Sequence, residues 1–196
     1  MSRAYWVKLA SSVSTTIDAS DKAIHKIDIE AVVPQGEMGE LLEHALEQSG
    51  WTRSEDNGRE FHKTMEDGVE LTWNLDTNTV EAAATEQRQV VREVEVQGRG
   101  YDQNIARSDA ERQLAKREKA AQQEASIEEE RLQREITDRL GSNEKDRVRE
   151  INEVLQKTYA EAVKRKAGRL GNVTSVSEST QDGEYQLTIE IGRAHV

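Results

Sequence analysis

Residues 101–168 constrain the fold of this chain most, because they form a long, strongly charged segment without proline. Gln, Glu, Arg, Lys and Ala dominate the segment, and these residues favour helix. Asp102 is placed to cap a first helix, and the stretch LGSNEKD indicates a break, with Gly141 as the stop and Ser142 or Asn143 as the next cap. We therefore expect two helices joined by a short loop, which form an antiparallel hairpin.

The first of these helices has too few large apolar side chains to lie inside a core. Between residues 104 and 127 only Ile105 and Leu114 are large and apolar. A helix of about 40 residues is about 60 Å long, and we expect it to project. Its one narrow apolar stripe would be covered by a helix from a partner or from another copy, although a solvated spacer is the alternative. The stripe supplies the candidate partner-binding residues, which are Leu114, Ala121, Ala125, Leu132, Ile136 and Leu140.

Residues 1–100 predict an antiparallel sheet with one short helix on a face. Apolar and polar residues alternate from Tyr5 to Ile17, and a DASD turn followed by a second alternating stretch predicts an opening hairpin. After Pro34, apolar residues fall at helical spacing up to a stop at Gly50. Further along, two Asx-Gly dipeptides predict tight turns, and a strand is expected over about residues 90–96.

The C-terminal stretch AVKRKAGRLGNVTSVSESTQDGEYQLTIEI repeats the order of ALEQSGWTRSEDNGREFHKT, namely helix, glycine, strand, turn and strand. Either one structural unit is used twice, or two such segments look alike by chance. Because two strands are not stable alone, we predict that the last hairpin joins the first sheet. The predicted fold is α+β, with segments 1–100, 101–168 (the inserted helical hairpin) and 169–196.

Composition narrows the classes of function. The net charge is −11, and residues 1–100 hold 10 Lys/Arg against 19 Asp/Glu, which makes nucleic-acid binding by that part unfavourable. The absence of cysteine excludes disulfides and thiolate sites and fits a reducing compartment. The N-terminal stretch lacks a signal core, and no apolar run is long enough to span a membrane. We therefore expect a cytoplasmic protein.

No pattern for catalysis, cofactor binding or metal binding is present. The four histidines (His25, His44, His62 and His195) form no metal-ligand spacing, and the chain has no nucleotide-binding glycine loop. Asp18, Asp21, Asp28 and Glu30 are carboxylates that could serve acid/base chemistry, but turns and outward strand positions explain them equally. The basic cluster at residues 164–169 suits a helix C-terminus as well as it suits a phosphate.

Two parts of the chain, residues 35–85 and 148–191, carry a resemblance to known proteins. The segments LLEHALEQSGW and YAEAVKRKAGRLGNVTSVSESTQDGEYQLTIEI resemble a family of small proteins of cyanobacteria, plastids and other bacteria. The chain is also similar to accessory proteins encoded beside MoxR-type or FtsH-type AAA+ ATPases in bacterial multi-component conflict systems. The resemblance carries no catalytic residue, and the extra N-terminal strands and long first helix depart from the small family.

These observations predict a non-enzymatic cytoplasmic adaptor that presents its helical hairpin to a protein partner, with an AAA+ ATPase as the partner implied by the resemblance. The alternative is a structural protein that self-associates as a coiled coil through residues 105–140. No cofactor is expected, and neither nucleic acid nor a membrane is an expected partner.

Overall fold

The computed structural model describes residues 4–181 and 184–192, and these residues have the predicted α+β fold. The strands are β1 (Tyr5–Lys26), β2 (Thr52–Arg53), β3 (Glu60–Thr64), β4 (Glu70–Asn74), β5 (Thr79–Gly100), β6 (Asn172–Gln181) and β7 (Glu184–Gly192). The helices are α1 (Gln35–Gln48), α2 (Gln103–Ser142) and α3 (Glu144–Leu170).

Strands β1 to β5 form one antiparallel sheet in the order β1-β5-β4-β3-β2. Cross-strand contacts join Lys8 to Glu95 at 3.0 Å and Lys22 to Glu81 at 3.3 Å. Because the partner number falls along β5 as the number rises along β1, these two strands are also antiparallel. The strand predicted over residues 90–96 is part of the much longer β5.

The predicted opening hairpin is wrong, because β1 runs through the DASD stretch as one strand. The alternation continues there, with Ile17 and Ala19 buried and Asp18 and Ser20 exposed. No Gly or Pro interrupts this stretch, and the amide of Gln87 on β5 donates to the Asp18 carboxylate at 2.8 Å. Cross-strand partners on β5 thus hold extended a segment whose local composition favours a turn.

The chain is divided into two compact units whose boundaries differ from those of the three predicted segments. Unit 1 comprises Met1–Asp21 and Ala84–Arg139, and unit 2 comprises Lys22–Ala83 and Leu140–Val196. Strands β1 and β5 and helix α2 contribute residues to both units.

In unit 1, α2 packs on the paired strands β1 and β5, and two glycines allow a close approach at its start. A Cβ atom on Gly98 would lie 2.1 Å from the carbonyl oxygen of Ala106 and 2.4 Å from the amide nitrogen of Ala110. A Cβ atom on Gly100 would lie 2.5 Å from the amide nitrogen of Ala106. Asp102 is the predicted N-cap, and its carboxylate accepts the Ile105 N–H at 2.9 Å. Small residues therefore bring the first turns of α2 against β5.

In unit 2, α1 and the segment before it pack against α3 in a buried cluster of Val33, Met38, Leu41 and Ala162. The predicted helix is confirmed, and the chain leaves it through Gly50, whose φ of 80° is in the left-handed region that glycine favours. On the sheet of this unit the largest buried side chains are Trp73, Phe61 and Leu71, with Trp51 edge-on to the Trp73 ring.

A half-buried carboxylate on α3 fixes this helix to the sheet of unit 2. Oε1 of Glu150 accepts hydrogen bonds from Lys63 Nζ at 2.6 Å and from Trp51 Nε1 at 3.1 Å. Lys63 also donates to the Ser49 carbonyl at 2.8 Å. One acceptor thus satisfies two donors that pack beneath the helix.

Glu150→Ala is expected to lower the free energy of unfolding by about 2–4 kcal/mol, because it leaves the Lys63 ammonium and the Trp51 N–H without this acceptor. Urea titration followed by tryptophan fluorescence measures the change. Glu153→Ala on the same helix is the control, since Glu153 is exposed and its loss should change stability by less than about 0.5 kcal/mol. Equal stability of the two variants would contradict the role of Glu150.

The boundary between the long helices differs from the prediction. Gly141 lies inside α2, and Asn143 alone separates α2 from α3. Asn143 occupies the N-cap position, but its side-chain amide donates to Asp67 at 2.8 Å instead of capping the helix. An apolar face of α3 is buried at Ile151, Val154 and Ala162.

The predicted return of the C-terminal hairpin to the first sheet is wrong, because β6 and β7 pair only with each other among the described strands. The hairpin is stabilised by α3: Lys164 on that helix lies 2.7 Å from the Glu178 carboxylate of β6. Hydrogen bonds from Lys164 and then Tyr185 lower the pKa of Glu178, so this carboxylate stays ionised to a lower pH than an ordinary glutamate. The helix supplies the packing that a two-stranded sheet lacks.

Candidate partner-binding surfaces

The predicted partner-binding stripe does not lie free. Ala121, Ala125, Leu132, Ile136 and Leu140 are buried, with Leu132 1% and Ile136 0% exposed, and Leu114 is half-buried. The expectation that α2 projects is therefore wrong. The physical reason is that alanines and glycines let a helix with few large side chains lie close to a sheet, so small residues suffice for packing.

Polar contacts in unit 1 hold α2 against the two strands on either side of the stripe. The Thr137 hydroxyl bonds the Asp21 carboxylate at 2.7 Å, and Gln133 donates to the Ser20 carbonyl at 3.0 Å. Arg139 lies 3.0 Å from Glu86 on β5. Hydrogen bonds from Arg88 and then Arg139 lower the pKa of Glu86, which keeps this carboxylate charged. The stripe is therefore part of an interface between a helix and a sheet within the chain.

Three exposed aromatic residues, here called the aromatic end, lie where β1 begins and where β5 ends in unit 1. Tyr5 and Trp6 open β1 and Tyr101 follows β5, and they are 49%, 56% and 75% exposed. The whole chain has only eight aromatic residues, so an exposed group of three is a marked concentration. The sequence places Tyr5 at the start of an alternating strand but does not reveal the group, because the pairing of β1 with β5 puts its members at one end.

Arg99 and the two close-approach glycines of β5 lie next to the aromatic end. The Arg99 guanidinium lies 5.3 Å from the centre of the Trp6 ring, a cation–π arrangement. The backbone N–H of Arg99 donates to the Asp109 carboxylate on α2 at 3.1 Å. Because Arg99 lies between the two close-approach glycines of β5, the Trp6 ring, the cation and the start of α2 are adjacent.

The titratable residues considered for chemistry are dispersed. His44 contacts Gln48 at 2.9 Å, His62 contacts the Thr72 hydroxyl at 3.0 Å, and His25 is half-buried, while His195 lies outside the described residues. Asp18 and Asp21 are the carboxylates that bond Gln87 and Thr137 in unit 1, whereas Asp28 and Glu30 belong to unit 2. Within residues 4–181 and 184–192 no group of three or more His, Asp or Glu side chains is arranged to hold a metal ion.

A cleft of about 450 Å³ lies in unit 2 at the start of α3 and is lined by charges of both signs. Arg147, 1% exposed, is one lining residue, and it donates a hydrogen bond to the Leu140 carbonyl. That carbonyl belongs to the last turn of α2, where the helix dipole favours a cation. The arginine thus acts as a C-terminal cap for the preceding helix.

Two cations of the basic cluster at residues 164–169 form ion pairs within unit 2. Lys164 contacts Glu161 and Glu178, and Arg169 contacts Glu37 on α1 at 2.6 Å. These ion pairs support the structural interpretation of the cluster over the phosphate-binding one.

Among the described residues, no helix is both long enough and apolar enough to cross a bilayer. A search of curated proteins and a search of solved structures found no match to the chain. A family model described as FtsH ternary system domain X5 matches residues 1–192, far beyond the two parts on which the resemblance was seen. The predicted similarity to FtsH-associated accessory proteins is confirmed, whereas those to MoxR-associated proteins and to the small cyanobacterial and plastid family stay predictions. The chain belongs to the FtsH ternary system domain X5 family and is a component of an FtsH-associated conflict system.

Proposed function

We propose that this chain is a non-enzymatic cytoplasmic accessory protein that binds the FtsH-type AAA+ protease of its system through the aromatic end of unit 1. Membership of an FtsH ternary system implies an association with such a protease. The observation that carries the proposed surface is the exposure of Tyr5, Trp6 and Tyr101, with Arg99 beside the Trp6 ring. Trp, Tyr and Arg are the residue types that most often dominate binding energy at protein interfaces.

The aromatic end replaces the helical hairpin as the proposed contact. The stripe on α2 is buried at five of its six residues, so a partner helix could reach it only after α2 had left the strands of unit 1. The same burial argues against the alternative of a self-associating coiled coil through residues 105–140. The aromatic side chains need no such rearrangement, because they already face solvent.

Trp6→Ala combined with Tyr101→Ala is expected to weaken capture of the co-expressed FtsH-type protease by about a hundredfold in affinity, since each aromatic anchor typically contributes at least 1–2 kcal/mol. Co-purification followed by titration of the purified pair measures the loss. Ile127→Ala is the matched control, because Ile127 is 66% exposed on α2 of the same unit and lies outside the aromatic group. Undiminished capture by the double variant would contradict the proposed surface, and no capture by the unaltered chain would contradict the proposed partner.

A further inference from the structure

The outer edge of β1 is a long strand edge with one strand neighbour. In the described part of the chain β1 lies at the end of the sheet order and pairs with β5 alone. Residues 5–19 of this strand belong to unit 1. A strand at the end of a sheet presents a row of backbone N–H and C=O groups that can bind another strand.

One hydrogen bond shows which residues direct these groups outward. The Ser20 carbonyl accepts from the Gln133 side chain on α2, so it points away from β5. Backbone groups of successive residues point to opposite sides of a strand. The even-numbered residues between Lys8 and Asp18 therefore direct their N–H and C=O groups to the outer edge, and their side chains lie on the exposed face, opposite buried Ile17 and Ala19.

Charged residues discourage further strand pairing along the edge of β5 but not along the central part of the β1 edge. Natural sheet edges usually carry charged residues, proline or bulges that discourage pairing. Beyond its pairing with β4, strand β5 carries Glu86, Arg88, Arg92, Glu93 and Glu95. Residues 9–17 of β1, with the sequence LASSVSTTI, contain neither a charge nor a proline. The composition of the β1 edge therefore favours pairing with another strand.

We propose that β1 pairs antiparallel with β1 of a second copy of this chain, about a two-fold axis at Val13. In this register Lys8 faces Asp18 of the second copy, and each such contact occurs twice. The uncharged stretch between them then pairs with itself, Ser12 opposite Ser14 and Ala10 opposite Thr16. Opposite charges directly across two strands stabilise the pairing, whereas like charges oppose it.

The face of the strand that packs under α2 is also self-complementary in this register. Leu9 lies opposite Ile17 of the second copy, and Val13 lies opposite itself. Val7, Leu9 and Val13 are half-buried in the single chain, so pairing removes further apolar surface from water. With the axis moved to Ser14, Ile17 would face Ser11 and Lys8 would face Ser20, which loses both the apolar and the charged match.

The test compares three double variants of the full chain by light scattering after gel filtration, at micromolar concentration. The unaltered chain should have the mass of a dimer. Ser12→Lys with Ser14→Lys places lysines opposite each other and should give a monomer, whereas Ser12→Lys with Ser14→Glu places opposite charges together and should remain a dimer. Gln123→Lys with Ile127→Lys adds two charges to the exposed face of α2 in the same unit, outside the β1 edge, and should also remain a dimer.

A monomeric unaltered chain would overturn the proposal and leave this edge to a strand from another protein. A dimeric Ser12→Lys, Ser14→Lys variant would overturn it as well, as would a monomeric Ser12→Lys, Ser14→Glu variant, which tests the register. Thermal melting of each variant shows that it is folded. Because only the purified chain is used, the result is independent of the proposed protease contact.

Discussion

Leu132→Glu is expected to unfold unit 1, with a loss of about 4 kcal/mol or more in the free energy of unfolding. Leu132 is 1% exposed on the face of α2 that packs on the strands. Truncation of such a side chain costs about 2–5 kcal/mol, and a buried carboxylate without a partner adds a desolvation penalty. Thermal and urea unfolding followed by circular dichroism measure the loss.

Ile127→Glu is the matched control for this substitution. It introduces the same charge in place of an aliphatic residue on the same helix, but Ile127 is 66% exposed. Its stability should therefore stay within about 0.5 kcal/mol of the unaltered chain. If Leu132→Glu melted at the same temperature as Ile127→Glu, the packing of α2 on β1 and β5 would be contradicted. The prediction from the sequence that this helix projects would then be supported.

Gly98→Ala is expected to destabilise unit 1 by about 2–3 kcal/mol, because the added methyl group overlaps backbone atoms of α2. The carbonyl of Ala106 and the amide of Ala110 lie too close to accept a Cβ atom, and neither is the end of a flexible side chain. The helix must therefore move away from β5. Equilibrium unfolding in urea measures the effect.

Gly141→Ala should have the opposite effect. Gly141 lies within α2, and a Cβ atom there meets no other atom within 4 Å. Alanine in a helix is favoured over glycine by up to about 1 kcal/mol, so this variant should be more stable. If Gly98→Ala were also stabilising, the close approach of α2 to β5 would be contradicted.

The aromatic end illustrates what sequence reasoning could and could not find. The strand containing Tyr5 and Trp6 follows from its alternation, and the cap at Asp102 follows from its position before a helix. Trp6 lies near Arg99 because of the register in which β1 pairs with β5. These two strands are far apart in the sequence. Nothing local to residues 5–6 or 99–101 encodes that register, so the candidate surface was missed.

The amino-acid sequence alone determined the element types of this protein and much of their order. Helical spacing placed α1 and α3, alternation placed most strands, and the LGSNEKD stretch located the break between the long helices to within a few residues. These features follow from short-range periodicity, capping and turn chemistry, which depend on neighbours within a few positions.

Tertiary structure decided what the elements pack against. The DASD stretch became strand because β5 pairs along it, and the thin stripe of α2 became buried because the helix packs on β1 and β5. The C-terminal hairpin lies on α3 and not in the main sheet, and a salt bridge joins it to that helix. Burial depends on the surface that a distant segment offers, and a one-dimensional pattern of apolar residues does not specify that surface.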